Sequence, residues 1–264
     1  MILIDTHCHM HDPEFFKPDE AEEALKSSVK AGVTKMIGIG TSLEDSKKAI
    51  TFAHKYPENY WVSVGIHPHE ASKLSEKEID EHLKELEKLA FDSKVVAVGE
   101  CGFDFYYHDR ASELKKQTQL LVGQLEIAKK HNLPVSFHVR EAFNEFWPVY
   151  EKFKARGVLH SFTDREAHLQ KALQLGLFIG INGIATFTTH EWQTELFAKI
   201  PLEKIVVETD SPFLTPIPKR GTINTPENVI YVTKYLAELR GEDESTVVTT
   251  TTTNARELFK RLSF

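Results

Sequence analysis

Cysteine is scarce in this chain: there are two in 264 residues, Cys8 and Cys101. They lie far apart and imply no disulfide framework. Positive charge is also in deficit, with a formal net charge of −7. That excludes broad, non-specific coating of nucleic acid, which needs a basic surface. It leaves room for a local basic cluster that holds a few phosphates beside metal ions. No apolar run approaches the roughly 18–20 residues that cross a bilayer. No basic segment precedes the first apolar residues, so a signal peptide is not expected and the cytoplasm is the expected location. No Gly-x-Gly-x-x-Gly follows the first strand candidate and no Walker-type loop is present, which argues against a doubly wound nucleotide-binding sheet. A nucleophilic Ser or Cys motif is missing too, so a covalent intermediate is not expected. Nothing marks a linker, and one domain over residues 1–264 is the reading.

What is present is a rhythm. Helical spacing runs through 20–31, 43–55, 75–91, 111–131, 141–154, 165–175, 190–199, 225–239 and 244–262. Ser75 with Glu78 three places on forms a possible capping box. Pro148 should kink or break its helix, and the Thr run 249–253 should delay or distort the last one. Between the helices stand short apolar runs, among them Ile2–Ile4, Val33–Ile39, Trp61–Val64, Val95–Val98, Leu133–Phe137 and Ile205–Val207. They are continuous and do not alternate, the signature of parallel strands buried on both faces. Eight such units in roughly 250 residues have the size of a (β/α)₈ TIM barrel, here with a C-terminal helix.

The polar residues at the strand ends carry the chemistry. In Ile2-Leu3-Ile4-Asp5-Thr6-His7-Cys8-His9, residues i and i+2 of a strand share a face, so His7 and His9 can grip one metal ion. Strand three ends in His67 and His69, strand four in Glu100, strand five in His138, strand six in His160 and strand eight in Asp210. In a barrel these ends converge on one face. The set exceeds the three protein ligands of a single catalytic zinc and fits two divalent ions sharing a bridging carboxylate. Glu100 is the natural bridge. His7, His9 and Asp210 would complete one ion, without His138 or His160, which would complete the other. Mixed donors of this kind suit Zn, Mn or Fe, with Mg at the carboxylate-rich position. Asp210 is the candidate to take a proton from the attacking water, while also serving as a ligand.

At this point the sequence resembles the TatD-type metal-dependent deoxyribonucleases of the amidohydrolase superfamily. The resemblance runs through Asp5-Thr6-His7-Cys8-His9, Gly65-Ile66-His67-Pro68-His69, Gly99-Glu100-Cys101-Gly102-Phe103-Asp104, His138-Val139-Arg140, His160-Ser161-Phe162 and Glu208-Thr209-Asp210-Ser211-Pro212-Phe213. It implies a (β/α)₈ fold, divalent metals and 3′–5′ exonuclease activity on DNA, with single strands or 3′ ends as substrate. The family's metal positions fall on His7, His9, Glu100, His138, His160 and Asp210. Two segments depart from the family pattern. Asp164 stands where Gly is usual, and Ile223-Asn224-Thr225-Pro226 stands where Arg-Asn-Glu-Pro is usual.

Further candidates surround this set. His67 and His69 are placed near the substrate phosphate by the family motif. Asp104 is an orienting carboxylate. Arg140 and Arg220 are candidates for bidentate phosphate contacts. Phe103, Phe105, Tyr106 and Tyr107 could stack on bases. Cys8 and Cys101, beside ligands in sequence, read as small apolar residues pointing away from the site. A monomer is expected. The rival to a nuclease is a same-fold hydrolase of small phosphoesters, amides or lactones.

Overall fold

The computed structural model describes residues 2–107 and 109–262. The chain opens with strand β1 (Leu3–Cys8), helix α1 (Pro18–Lys30), β2 (Val33–Ile39), α2 (Leu43–Lys55), β3 (Tyr60–Val64) and α3 (Glu76–Leu89). It continues through β4 (Val95–Asp104), α4 (Arg110–His131), β5 (Val135–Arg140), α5 (Phe143–Phe153), β6 (Gly157–Leu159) and α6 (Glu166–Gln174). It ends with β7 (Phe178–Ile181), α7 (Ile184–Phe187), α8 (Glu191–Lys199), β8 (Ile205–Val207), α9 (Val229–Arg240) and α10 (Glu244–Leu258). The eight strands pair in parallel in the order β1 to β8. The ring closes because the Asp210 N–H donates to the His7 carbonyl at 2.9 Å and the His9 N–H to the Ser211 carbonyl at 2.8 Å.

Two apolar layers hold the barrel. One lies between the sheet and its helices. The other fills the N-terminal end of the interior, where Ile4, Ile37, Trp61, Val96 and Val206 pack on Leu258 and Phe259 at the end of α10. That helix closes one end and leaves the C-terminal mouth open. Among the described residues, no helix is long and apolar enough to cross a membrane.

Three local expectations need correction. Strand β4 does not stop at Val98 but runs on to Asp104, so Glu100 lies inside it. Glycine permits this: Gly99 has φ of +122°, and a Cβ on Gly102 would sit 1.9 Å from the His138 carbonyl oxygen. Helix α5 continues through Pro148. Pro148 and Asn144 are both on the exposed side, so water can satisfy the carbonyl that the missing N–H leaves free. Helix α10 runs unbroken through Thr249–Thr253. Its hydroxyls bond back into the structure, Thr251 to the Val247 carbonyl and Thr253 to the Thr249 carbonyl at 2.8 Å each, and Thr252 to the Ile2 carbonyl at 2.9 Å. The capping box of α3 forms as read from the sequence, with Ser75 N donating to Glu78 Oε2 at 2.7 Å.

Candidate metal centre

The candidate ligands meet at the C-terminal mouth because β1 and β4 break strict alternation and the chain turns just after β8. Along β1, pairing is irregular between Asp5 and Cys8, and the Asp5 side chain accepts the His7 N–H at 3.2 Å. This irregularity turns His7 and His9 inward and Cys8 outward, into the layer under the helices. Along β4 a second irregularity spans Val98 to Cys101. Both of those residues face the outer layer, and Glu100 is left to face the mouth. After β8, Asp210 adopts a left-handed conformation, φ 58°, a conformation that aspartate tolerates better than most residues.

Among the described residues, four groups place donor atoms within 4.8 Å of one another: His7, His9 and Glu100; Glu100, His138 and His160; His7, His160 and Asp210; and His67, Asp104 and His138. His7 therefore adjoins both halves of the centre, and its ring stacks on that of His160 with centroids 3.5 Å apart. Geometry alone does not confine His7 to the side of His9 and Asp210. The His7 ring is buried with neither nitrogen hydrogen-bonded. Its Nε2 lies 3.6 Å from Glu100 Oε2 and 3.5 Å from Asp210 Oδ1. A buried imidazole that faces two carboxylates without bonding to either is a donor set that fits a divalent cation.

Second partners set which nitrogen each ring offers. His9 Nδ1 lies 3.1 Å from the Ile39 carbonyl oxygen and donates to it, leaving Nε2 to face Asp210 at 3.4 Å. His160 Nδ1 lies 2.9 Å from Glu208 Oε1, leaving Nε2 toward Glu100 at 3.6 Å. Backing of this kind is how proteins aim histidine ligands. His67 is built the other way: its Nδ1 accepts the His69 N–H at 3.1 Å. In the neutral ring the proton then sits on Nε2, which makes that atom a donor rather than a ligand.

The charges are strongly coupled. Burial, reinforced by His160, keeps the His7 ring neutral far below the usual histidine range. Burial likewise lowers His67, with His138 adding to it. Burial opposes charge on Glu100 as well, but His160, His138 and His7 together hold its carboxyl well below the carboxylate range. His138 and His160 resist their burial and are pushed up to about 9 and about 10, by Glu100 with Asp104 and by Glu208 with Glu100 respectively. His138 is held at both nitrogens, Nδ1 at 2.6 Å from Glu100 Oε1 and Nε2 at 2.9 Å from Asp104 Oδ2.

The substrate candidates divide. His67, His69 and Arg140 line the cleft with the ligand set, and Tyr107 lines it too. His69 Nε2 lies 3.0 Å from Asp104 Oδ2, so Asp104 spans His69 and His138. Tyr106 is half exposed and lies under the Arg140 guanidinium, 3.7 Å from ring centroid to Cζ. Phe103 must be withdrawn as a base-stacking residue, because extension of β4 buries it completely and packs it on Phe105. Arg220 is not brought to the cleft. Its guanidinium lies over Phe187 at 3.9 Å and donates to the Thr215 carbonyl at 2.9 Å. Residues that sequence reasoning missed are Glu208 behind His160, and Phe15 and Phe213 on the cleft wall. The run Glu208-Thr209-Asp210 put Glu208 in view, but no spacing rule says it turns toward strand six.

A parallel eight-stranded barrel with a histidine–carboxylate cluster at its open mouth defines the class: a barrel metal-dependent hydrolase. The chain belongs to the family of TatD-related DNases, whose model matches residues 4–260. It is 34% identical over 266 residues to the 3′-5′ ssDNA/RNA exonuclease TatD of Erwinia tasmaniensis, covering 97% of this chain and 99% of that protein. It is 28% identical to the uncharacterized metal-dependent hydrolase YabD of Bacillus subtilis, covering 98% and 99%. The crystal structure of YjjV, a TatD homologue from Escherichia coli K12, superposes with a TM-score of 0.88 at 30% identity, covering 98% of each chain.

Proposed function

We propose that this chain, acting as one domain, is a divalent-metal-dependent exonuclease that trims DNA from its 3′ end, with single strands as the preferred substrate. The observation that carries this reading is His7, a buried imidazole with no hydrogen bond, set between Glu100 and Asp210. The name of the Erwinia relative supports the direction and the substrate class.

The reading assigns two ions. His7, His9 and Asp210 would hold one and His138 and His160 the other, with Glu100 shared. Zn, Mn or Fe suit these donors, and Mg suits the carboxylate-rich position. Bound divalent cations acidify an attacking water and offset charge at phosphorus. The protein supplies the rest. Asp210 takes the proton of the water. Arg140 and the Nε2–H of His67 face the cleft as donors to phosphoryl oxygens. Asp104 keeps His69 and His138 aimed into the cleft. A monomer in the cytoplasm completes the reading, in keeping with two buried, unpaired cysteines.

The test is single-stranded DNA labelled at its 5′ end, incubated with Mg²⁺, Mn²⁺ or Zn²⁺. A ladder that shortens from the 3′ end is expected, and Asp210→Asn should abolish it. If no metal supports shortening, the reading is wrong.

A further inference from the structure

The cleft has two unlike walls. On the side of β4 and β5 stand Arg140, Tyr107 and, from the turn after β3, Lys73. The Arg140 guanidinium packs over Tyr106 and Tyr107, at 3.7 and 5.3 Å from their ring centroids. On the opposite side, where β8 meets β1, the wall is formed by Asp12, Phe15, Phe213 and Leu214 beside His9 and Asp210. Neither Lys nor Arg occurs among those described wall residues. Phe15 and Phe213 are 39% and 45% exposed, large apolar rings left facing solvent at the edge of a highly charged centre. Their centroids are 5.0 Å apart and their planes cross at 78°, which makes a corner rather than a stack.

We propose that this corner seats the terminal nucleobase of the strand being trimmed. The inference rests on the nuclease reading and names a subsite within it. A base can lay its face on one ring and its edge against the other, and every base offers such a face, so the seat is sequence-tolerant. The corner is also tied to the centre. The Phe15 N–H donates to the Asp12 carbonyl, and the Asp12 N–H donates to that of His9, at 3.2 and 3.1 Å. The Phe213 N–H donates to the Asp210 carbonyl at 2.8 Å. Asn224, fully buried, holds the same loop by donating to the Phe213 and Thr209 carbonyls at 2.6 and 3.0 Å. The two rings thus hang from the backbone of His9 and Asp210 themselves, and the Phe213 ring lies 6.4 Å from that of His9. The polyanionic remainder of the strand leaves toward the opposite wall, where Arg140 meets its phosphates and Lys73 stands paired with Glu70 at 2.6 Å. A wall that offers apolar rings and no cation suits the one nucleotide that has no phosphate beyond it. Ile223, 65% exposed and sharing a shallow groove with Phe15, continues the apolar edge outward.

The experiment compares two single-stranded oligonucleotides with the metal-loaded protein. They are identical except that one ends in an ordinary nucleotide and the other in a base-free tetrahydrofuran nucleotide. Stacking of this kind corresponds to about 5- to 150-fold per base. The wild type should prefer the base-bearing end by a ratio in that range, carried mainly by KM. In Phe15→Ala/Phe213→Ala the ratio should fall toward one. In Phe213→Trp, which enlarges the ring surface, it should hold or rise. If the double variant does not fold, Phe213→Leu alone serves, since it keeps an apolar side chain, removes the ring and should lower the ratio. A wild-type ratio of one, or a ratio that survives loss of the rings, overturns the seat while leaving the nuclease reading intact. Failure of the wild type to trim either end overturns the nuclease reading itself, and the seat with it.

Discussion

Replacing Glu208 with glutamine isolates the charge of one carboxylate behind the centre. Glu208 is buried, and its Oε1 receives the Ser161 N–H at 2.7 Å and faces His160 Nδ1 at 2.9 Å. Its other oxygen lies against Gly180, where even a Cβ would stand 2.6 Å away, so the group has little freedom to turn. Glutamine fits the same volume and keeps one oxygen for Ser161 and His160. It removes the negative charge that makes His160 Nε2 a strong donor. Loss of such backing costs about 10- to 100-fold in metal affinity, or about 1.4–2.8 kcal/mol. The assay is a divalent-metal titration against a competing chelator, run beside thermal unfolding of the metal-free proteins. Glu208→Gln should bind the metal at least tenfold more weakly, melt within a few degrees of wild type when metal-free, and regain most of its hydrolysis at saturating metal. Glu208→Ala also strands the Ser161 N–H and should lose about 1–3 kcal/mol of stability in addition. Unchanged metal affinity in Glu208→Gln would refute the argument that Glu208 tunes His160.

Three further outcomes are expected. Gly102→Ala forces a Cβ to within 1.9 Å of the His138 carbonyl oxygen. Backbone must move, and urea unfolding should show a loss of about 2–4 kcal/mol together with weakened metal binding. Asp45 is pushed up by burial but held at about 2 by the His11 imidazole and the Thr41 N–H. A depressed carboxyl stabilises the fold above its unfolded pKa and loses that contribution as pH falls through its folded one, so its roughly 2 kcal/mol is complete near pH 6 and about half gone near pH 3. The gap in urea midpoint between wild type and Asp45→Asn should narrow accordingly, and a constant gap would contradict it. Stripping metal with a chelator should lower the melting temperature by about 5 °C relative to protein held at a hundred times Kd, as mass action on a ligand of the native state requires.

The barrel was legible because the apolar runs recur with helical spacing between them, and a closed parallel sheet brings distant strand ends together. That is why His7, His160 and Asp210, scattered through the sequence, can be assigned to one barrel face, whereas the closeness of His7 to His160 is not legible there. Legibility failed where local geometry departs from a repeating period. Phe103 looked like a loop aromatic because the β-branched run stops at Val98, yet glycine lets the strand continue and buries it. Arg220 looked available because it follows a proline-rich loop, but the loop folds it onto Phe187. The threonines of α10 looked like a break, but their hydroxyls find carbonyls one turn back or on Ile2. Glu208 is visible beside Asp210 in the sequence, but its role arises from a contact with His160 that only strand packing defines.

The seam between β1 and β8 has a consequence for how the protein comes into being. His7 and His9 precede Asp210 by some two hundred residues, and they meet it only when the ring shuts through Asp210 and Ser211. Asp5 reinforces that junction by accepting the Thr209 N–H at 2.9 Å. During synthesis the first two histidines must wait for some two hundred residues to follow. A chain that ends before residue 210 therefore lacks the carboxylate that faces His7 and His9. The full set of facing groups is in this way absent from every copy that ends before residue 210, and the seam between β8 and β1 is what completes it.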